Sequence, residues 1–495
     1  MRTFLGIDVG TTAVKALAID DSAKVLALAS ADYPYHQPHP GWAEQDPADW
    51  LRLVGQTVRE VTAGLPGPVA ALAISTQGDT ALPLDHDGRP MAPARTWMDT
   101  RALPQVEQMR GLPDSRWHAI TGATPLPHAA AASVLWWRQH LAGFDGSVSR
   151  LCLVQDYLMG WLTGQWVLDA PNASRTLLCD INQRAWSAEL LDWLGIDGAL
   201  LPTVMESGTV VGPVRGPVAE LLGLAAETQV VLGGHDQTCA AIGCGVVRPG
   251  SLMLSCGTAW VLLAATAGPL LDPLRALHTC CHAVPGGYAV LGAYAGGNLL
   301  RWFRDTLWDG PETGEEAYEA IVAEAEKAEA DGRPLVFFLP HFYGSSLVAP
   351  CPEARGAWVG LTLAHAKRDL ARGLLTGVAL QTAATVEQIA SLGAPTDDIR
   401  MIGGGARSRF WAQLVADALQ RPLGLPRVSE AAAYGAALLA ATAVGAFPDL
   451  ETACSLTAIR ARVEPRVSNL PVTVAEYLGL SADLIPFWGS LSQMR

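Results

Sequence analysis

The sequence predicts an α/β protein of two similar-sized domains with a ligand between them. Three observations carry that expectation. At 495 residues the chain is too long for one compact core, so two domains are the default. A short hairpin with Gly-Thr at its bend occurs once in each half, which suggests a duplicated architecture. Between the hairpins lie segments with helix-start signals and apolar periodicity.

Phe4 to Ile19 reads as strand, tight turn and strand, with Val9-Gly10-Thr11-Thr12 at the bend, and Val25 to Ser30 supplies a third strand. Asp46 caps a helix with Pro47 in its first turn, running through Trp50, Val54, Val58 and Val61. Ala70 to Ser75 is a strand ending in Thr76-Gln77-Gly78-Asp79, and Ala94 to Met98 is another ending in Asp99-Thr100-Arg101. Segments 104–116 and 265–277 read as connecting loops. Val230-Val231-Leu232 leads through Gly233-Gly234-His235-Asp236-Gln237 into an Ala/Cys-rich helix. Pro249-Gly250 marks the boundary between residues 1–248 and 249–495. Ser251 to Ala264 repeats the hairpin with Ser255-Cys256-Gly257-Thr258 at its bend. Glu315, Glu316, Glu319, Glu324, Glu326 and Glu329 form a solvated helix face. Gly403-Gly404-Gly405 precedes a helix holding Phe410, Leu414, Asp417 and Ala418. Ala431 to Phe447 is long and apolar, but its small residues favour a packed core helix over a membrane span. The last fifty residues carry little pattern.

Half the residues are hydrophobic and 17% are charged, which suits a well-buried enzyme. The net charge of -14 argues against nucleic-acid binding. Nine cysteines without CxxC spacing, and no secretion signal ahead of the first strand, give the expectation of reduced thiols and a cytoplasmic home.

Five constellations carry chemistry. Asp8-Val9-Gly10-Thr11-Thr12 with Lys15 offers N–H groups and hydroxyls for phosphate oxygens, with Asp8 placed to hold Mg²⁺ through water; the alternative is an ordinary hairpin with a polar turn. Gly257-Thr258 is the matching bend; alone it reads as a hairpin turn, and as a partner to the first bend it offers phosphate donors from a second side. Gly404-Gly405-Ala406-Arg407-Ser408 at a strand-to-helix junction allows a phosphate or flat ring close to backbone, or is simply a sharp turn. Asp236 is either a helix cap or a base; a helix N-terminus would lower its pKa, which phosphoryl transfer tolerates because orientation of the hydroxyl matters more than base strength. Gln77, Asp79, Trp97, Asp99 and Arg101 suit a polyhydroxylated ligand, although Asp99 with Arg101 is equally a surface salt bridge.

Taken in order, these segments resemble the FGGY carbohydrate kinases. The resemblance rests on Ile7-Asp8-Val9-Gly10-Thr11-Thr12, Gly41-Trp42-Ala43-Glu44-Gln45-Asp46-Pro47, Asp156-Tyr157-Leu158 and Asn172-Ala173-Ser174. It continues through Gly234-His235-Asp236, Gly245-Val246-Val247-Arg248-Pro249-Gly250, Ser255-Cys256-Gly257-Thr258, Gly403-Gly404-Gly405-Ala406-Arg407-Ser408 and Glu430 to Ala437. It implies two actin-like (ribonuclease H-like) ATPase domains with the active site in the interdomain cleft, and transfer of the ATP γ-phosphate to a sugar or polyol. It also implies Asp236 as catalytic base, and Asp8 and Asp236 beside Mg²⁺. Gly10, Thr11, Thr12, Lys15, Gly257, Thr258, Gly404, Gly405, Ala406 and Ser408 fall to the nucleotide. Gln77, Gly78, Asp79, Trp97, Asp99, Asp236 and Gln237 fall to the acceptor.

Within the family, Gly78-Asp79 departs from the Met-His of xylulokinase-type members and looks like the erythritol type, while Gln237 is similar to glycerol-type members. Gly344-Ser345-Ser346-Leu347 and Thr376 also depart from common family patterns. The expected acceptor is a pentulose such as xylulose, with a polyol as runner-up. A non-kinase actin-like ATPase is the competing class, disfavoured because no peptide-binding or polymer-contact appendix is evident. No membrane or nucleic-acid partner is expected, and a homodimer is left open.

Overall fold

The structure, a computed structural model, describes residues 2–345, 351–466, 470 and 472–493. The departures at Ser346 and Leu347 lie outside the described residues. Each half is built on one mixed sheet. The first contains β1 (Thr3–Val9), β2 (Ala13–Asp20), β3 (Val25–Asp32), β4 (Val69–Thr76), β5 (Val210–Pro213) and β6 (Gln229–His235), in the order β3-β2-β1-β4-β6-β5. The second contains β7 (Gly250–Cys256), β8 (Ala259–Thr266), β9 (His278–Cys281), β10 (Tyr288–Ala295), β11 (Thr396–Ile402), β12 (Leu423–Pro426) and β13 (Ile459–Val463). Its order is β9-β10-β8-β7-β11-β12-β13.

The two sheets share one plan. In each, a three-stranded antiparallel meander is followed by two strands parallel to its first strand, and then by an antiparallel edge strand. The second sheet adds β9 outside the meander. This is the duplication that the two Gly-Thr bends signalled, and the paired α/β sheets are the actin-like, ribonuclease H-like architecture.

Register then places the chemistry. Val9 of β1 pairs with Thr76 of β4, and Thr76 pairs with His235 of β6. The segments that follow these three residues, beginning at Gly10, Gln77 and Asp236, therefore leave the sheet along one edge. That edge is the carboxyl end of the parallel strands, where α/β folds place ligands.

Two helices tie the halves together. Helix α1 (Pro47–Thr62) backs the first sheet, and Asp46 caps it by accepting from the Ala48 N–H. Helix α2 (Asp236–Gly243) leaves β6, yet Ala240 and Ala241 pack with Met253, Leu263 and Ile402 of the second sheet. Helix α3 (Lys367–Ser391) is the long central helix of the second half, and α4 (Arg409–Leu419) packs in the same core. Helix α5 (Ala431–Ala443) crosses the other way and packs on Phe4, Leu17, Ala71 and Val231 of the first sheet. Where α2 and α5 cross, a Cβ on Gly435 would lie 1.9 Å from the Cys239 carbonyl oxygen. A Cβ on Gly243 would lie 1.9 Å from that of Ala431. Only glycine allows backbones this close.

The acidic run forms helix Gly314–Ala330, with Ala317, Ile321, Ala325 and Ala328 on its buried side. The Ala-rich segment is core, and no helix among the described residues is long and apolar enough to cross a membrane. Other expectations change. Segment 104–116 is not a loop: helix Leu103–Met109 crosses it, and helix Asp114–Thr121 begins in it. Pro104 and Pro113 stand at the starts of these helices, where a missing N–H is harmless, so they signal onset rather than interruption. The strand at Ala94 is only Ala94–Arg95. The final stretch holds helix Leu450–Ser455, β13 and helix Val474–Gln493, the last anchored by Tyr477 donating to Gln381 of α3.

Candidate active site

The first bend, Gly10 to Thr12, is pinned from three sides. Tyr33 donates to the Gly10 carbonyl, Gln45 Nε2 to the Thr11 carbonyl at 2.6 Å, and Trp97 Nε1 to the Thr11 hydroxyl at 2.8 Å. Trp97 thus serves the loop rather than standing apart from it. Gln77 continues the chain of amides, donating to Gln45 Oε1 at 2.6 Å. Lys15 is engaged across the halves: its ammonium pairs at 2.6 Å with Glu430, the residue that precedes α5 in the other half.

Below the bend, Asp8 accepts from Ser75 Oγ at 2.8 Å through one oxygen. Burial pushes its pKa up to about 6 against that bond and against Lys15. Asp236 shares the space. Its carboxyl is raised to about 7, first by burial and then by the Asp8 charge, while the Gln237 N–H and the Arg175 charge oppose the shift.

This corrects the expectation of a lowered value. Asp236 is the first residue of α2, not its cap; His235 holds the cap position, and no side-chain cap bond forms there. The helix N-terminus favours the anion, but loss of water and a neighbouring carboxylate outweigh it. A carboxylate with a pKa near 7 suits a base at neutral pH.

Around Asp236 the chamber is polar. His235 Nε2 lies 3.3 Å from Asp236 Oδ1, and burial depresses this imidazole to about 3, so it is uncharged. Its ring covers Gly78, where a Cβ would lie 2.5 Å from His235 Cδ2. Asp79, buried and at φ 57°, takes Arg175 on one oxygen. Gln77 Oε1, Asp79 Oδ1 and Gln237 Oε1 are buried acceptors with no partner among the described residues, an arrangement that a ligand rich in hydroxyl donors would complete.

Asp99 stands behind this chamber. It is fully buried, and its two oxygens accept from Arg95, Arg101 and the Ala43 N–H. The pairing with Arg101 is real but interior rather than on the surface: the Arg101 side chain is 3% exposed and also meets Glu44 at 2.7 Å.

In the second half, the Asn298 N–H bonds the Thr258 carbonyl at 2.9 Å, fixing the bend at Gly257-Thr258. Gly403, at φ 87°, lies against Cys256, since a Cβ there would sit 2.9 Å from the Cys256 carbonyl. That contact brings Gly257-Thr258 and the stretch Gly404-Gly405-Ala406 into one corner, with Gly404 exposed and Ala406 buried. Ser408 caps α4 by accepting from the Trp411 N–H at 3.1 Å. Sequence reasoning missed Arg175, which lies one residue past Asn172-Ala173-Ser174, and His278, which comes from the other half.

The chain matches the FGGY family of carbohydrate kinases in both parts, the N-terminal domain over residues 3–243 and the C-terminal domain over residues 252–444. It is 31% identical over 416 residues to xylulose kinase from Escherichia coli (strain K12), covering 84% of each chain. It is also 31% identical over 477 residues to glycerol kinase from Thermococcus gammatolerans, covering 94% of each. The solved structure of xylulose kinase from Rhodospirillum rubrum aligns with a TM-score of 0.91 at 29% identity, covering 99% of this chain and 100% of that one. With both family domains matched in order on a duplicated α/β fold, the chain belongs to the FGGY family of carbohydrate kinases and is a sugar kinase, a phosphotransferase acting on an alcohol group.

Proposed function

We propose that this kinase transfers the γ-phosphate of ATP to a hydroxyl of a small ketose, a pentulose such as xylulose. Asp236 orients that hydroxyl and accepts its proton. The observation that carries this reading is the placement of Asp236. It is half-buried at the strand edge shared with Asp8 and the first phosphate bend, with a pKa raised to about 7. Gln77, Gly78, Asp79 and Gln237 line the acceptor side. Trp97 and Asp99 contribute indirectly, Trp97 by holding Thr11 and Asp99 by fixing Arg95 and Arg101.

Gly10, Thr11, Thr12, Gly257 and Thr258 take the phosphates, while Gly404, Gly405, Ala406 and Ser408 border the nucleoside. Lys15 joins them once a phosphate competes it away from Glu430. Asp8 and Asp236 are two hard oxygen donors whose charges oppose each other, a pairing a divalent cation relieves. Among the described residues no group of three or more His, Cys, Asp or Glu surrounds such a cation. That fits Mg²⁺, which keeps several waters and uses one or two carboxylates with substrate phosphates. Mg²⁺ would neutralise charge on the phosphates. In this reading residues 1–248 supply the acceptor site, the first phosphate bend and Asp236, and residues 249–495 supply the rest of the nucleotide site. The free, buried state of all nine cysteines supports a cytoplasmic setting.

A polyol acceptor of the erythritol or glycerol type is the second reading, favoured by Gly78-Asp79 and by Gln237 after Asp236. A coupled ADP-release assay across ketoses and polyols separates the two. The expected result is strong turnover with xylulose; turnover confined to tetritols or glycerol would move the assignment, and no stimulation by any of them would end it.

A further inference from the structure

We propose that Arg175 is a positioning residue for acceptor binding: it holds Asp79 by one oxygen, leaves the other for an acceptor hydroxyl, and is itself steadied by His278 from the second half. The proposal rests on the sugar-kinase reading above and says how its acceptor grip is built.

The geometry is specific. Both Arg175 Nε, at 3.2 Å, and an Arg175 Nη, at 3.0 Å, donate to Asp79 Oδ2. Asp79 Oδ1 is buried and receives no hydrogen bond from the described residues. A buried carboxylate oxygen without a donor is expensive, and an acceptor hydroxyl is the donor that the enzyme's own chemistry brings. The other Arg175 Nη lies 3.3 Å from His278 Nδ1. His278 opens β9, and β9 is stitched to the first half by two bonds. The Thr279 N–H donates to the Gly122 carbonyl at 2.9 Å, and the Cys281 N–H to Ser174 Oγ at 3.2 Å, next to Arg175 in sequence. The guanidinium is therefore held at a seam between the halves, so the acceptor grip depends on both.

The surroundings agree. Both side chains are nearly inaccessible, 14% exposed for Arg175 and 6% for Asp79. Against the cost of burial, Arg175 holds Asp79 below the usual carboxylate range, so it stays a charged acceptor. His128, His235 and His278 nearby are all pushed down by burial and stay uncharged. A planar guanidinium fixes a carboxylate in a way a lysine cannot.

Kinetic constants of wild type, Asp79→Asn, Arg175→Gln and the double variant test this with xylulose and with the best polyol of the assay panel. Removing either partner is expected to raise the acceptor KM on the order of 100-fold, the scale for breaking a buried charge pair. The KM for ATP and kcat should stay within about fivefold, because the grip acts away from the reacting oxygen. The double variant should lose no more acceptor affinity than either single one, since Arg175 grips the acceptor through Asp79. It is also the electrically neutral pair, which keeps the test usable if Arg175→Gln alone folds poorly. His278→Leu should raise the acceptor KM less, with His278→Asn restoring it.

An acceptor KM unmoved in Arg175→Gln, losses that add in the double variant, or equal losses in kcat and ATP affinity would overturn the proposal. A wild type inactive with every acceptor would instead bring down the kinase reading and this inference with it, an outcome visible before any variant is made.

Discussion

Replacing Gly435 by alanine should injure this enzyme out of proportion to one methyl group. Gly435 lies on α5 where that helix crosses α2, and a Cβ there would stand 1.9 Å from the Cys239 carbonyl oxygen and 2.8 Å from the Gly243 nitrogen. Ordinary carbon–oxygen contacts are about 3.4 Å, so the helices must part by roughly 1.5 Å. Both obstacles are backbone, so no side chain can swing aside. Overpacking of this kind costs about 3 kcal/mol, offset by about 1 kcal/mol because alanine favours helix over glycine, for a net loss of about 2 kcal/mol. The catalytic effect should be larger than the stability effect. Asp236 is the first residue of α2, and α5 sits on the first sheet, so parting them shifts Asp236 against the strand edge it shares with Asp8. A misplacement on the order of 1 Å is worth about 100-fold in rate. Thermal unfolding followed by tryptophan fluorescence, with kcat/KM for xylulose, reads both effects. Gly55→Ala on α1 is the control, since nothing lies within 4 Å of its added Cβ. Gly435→Ala with wild-type stability and kcat/KM would refute the claim that this crossing sets the cleft.

Other predictions follow from the site's electrostatics. The acid limb of kcat/KM should fall near pH 7, where Asp236 titrates, and move to lower pH as Mg²⁺ is raised, because a cation beside Asp8 and Asp236 favours their ionised forms. A limb insensitive to Mg²⁺ would detach the two carboxylates from the metal. The same raised pKa makes Asp236 a burden on the folded state at high pH: its ionisation opposes folding above the unfolded value near 4, and the penalty disappears as pH falls through 7 towards 4. Asp236→Asn should therefore unfold later than wild type at pH 8 and no later at pH 4. Asp99→Ala should cost about 3–5 kcal/mol of stability, because it leaves Arg95 and Arg101 buried without their shared carboxylate. A change in acceptor KM alone, with wild-type unfolding, would make Asp99 a direct ligand instead. Glu430→Gln should lower the KM for ATP a few-fold by freeing Lys15, while Lys15→Ala should raise it; opposite signs would place Lys15 outside the phosphate site.

How far the sequence reached depended on the range of the interactions. The hairpins, α1 and its Asp46 cap are local patterns, and each appears where periodicity and capping place it. The acidic helix was legible for the same reason, its glutamates including spacings of three and four. Segment 104–116 reads as a loop in sequence although Pro104 and Pro113 stand at helix starts, because proline occurs both in loops and at a helix's opening turn and only the following turn decides. The pKa of Asp236 was misjudged because the helix end is visible in sequence, whereas burial and the approach of Asp8, 228 residues away in the chain, are not. Arg175 is 96 residues from Asp79 and 103 from His278, so nothing in its neighbourhood announced the cluster. The ion pair of Asp99 with Arg101 stands in the sequence only as a surface alternative to a ligand contact; in the structure it is interior, with Trp42 and Trp136 over Arg101.

A single turnover with ATP labelled in the γ-phosphate and xylulose as acceptor, quenched on the millisecond scale, tests directly whether Asp236 drives phosphoryl transfer to the acceptor. Wild type should move the label onto the sugar, and Asp236→Asn should bind both ligands yet transfer it at least about a thousand times more slowly, the upper part of the range for a lost general base. Label transfer by Asp236→Asn at the wild-type rate, or label released only as inorganic phosphate by wild type, would contradict the account.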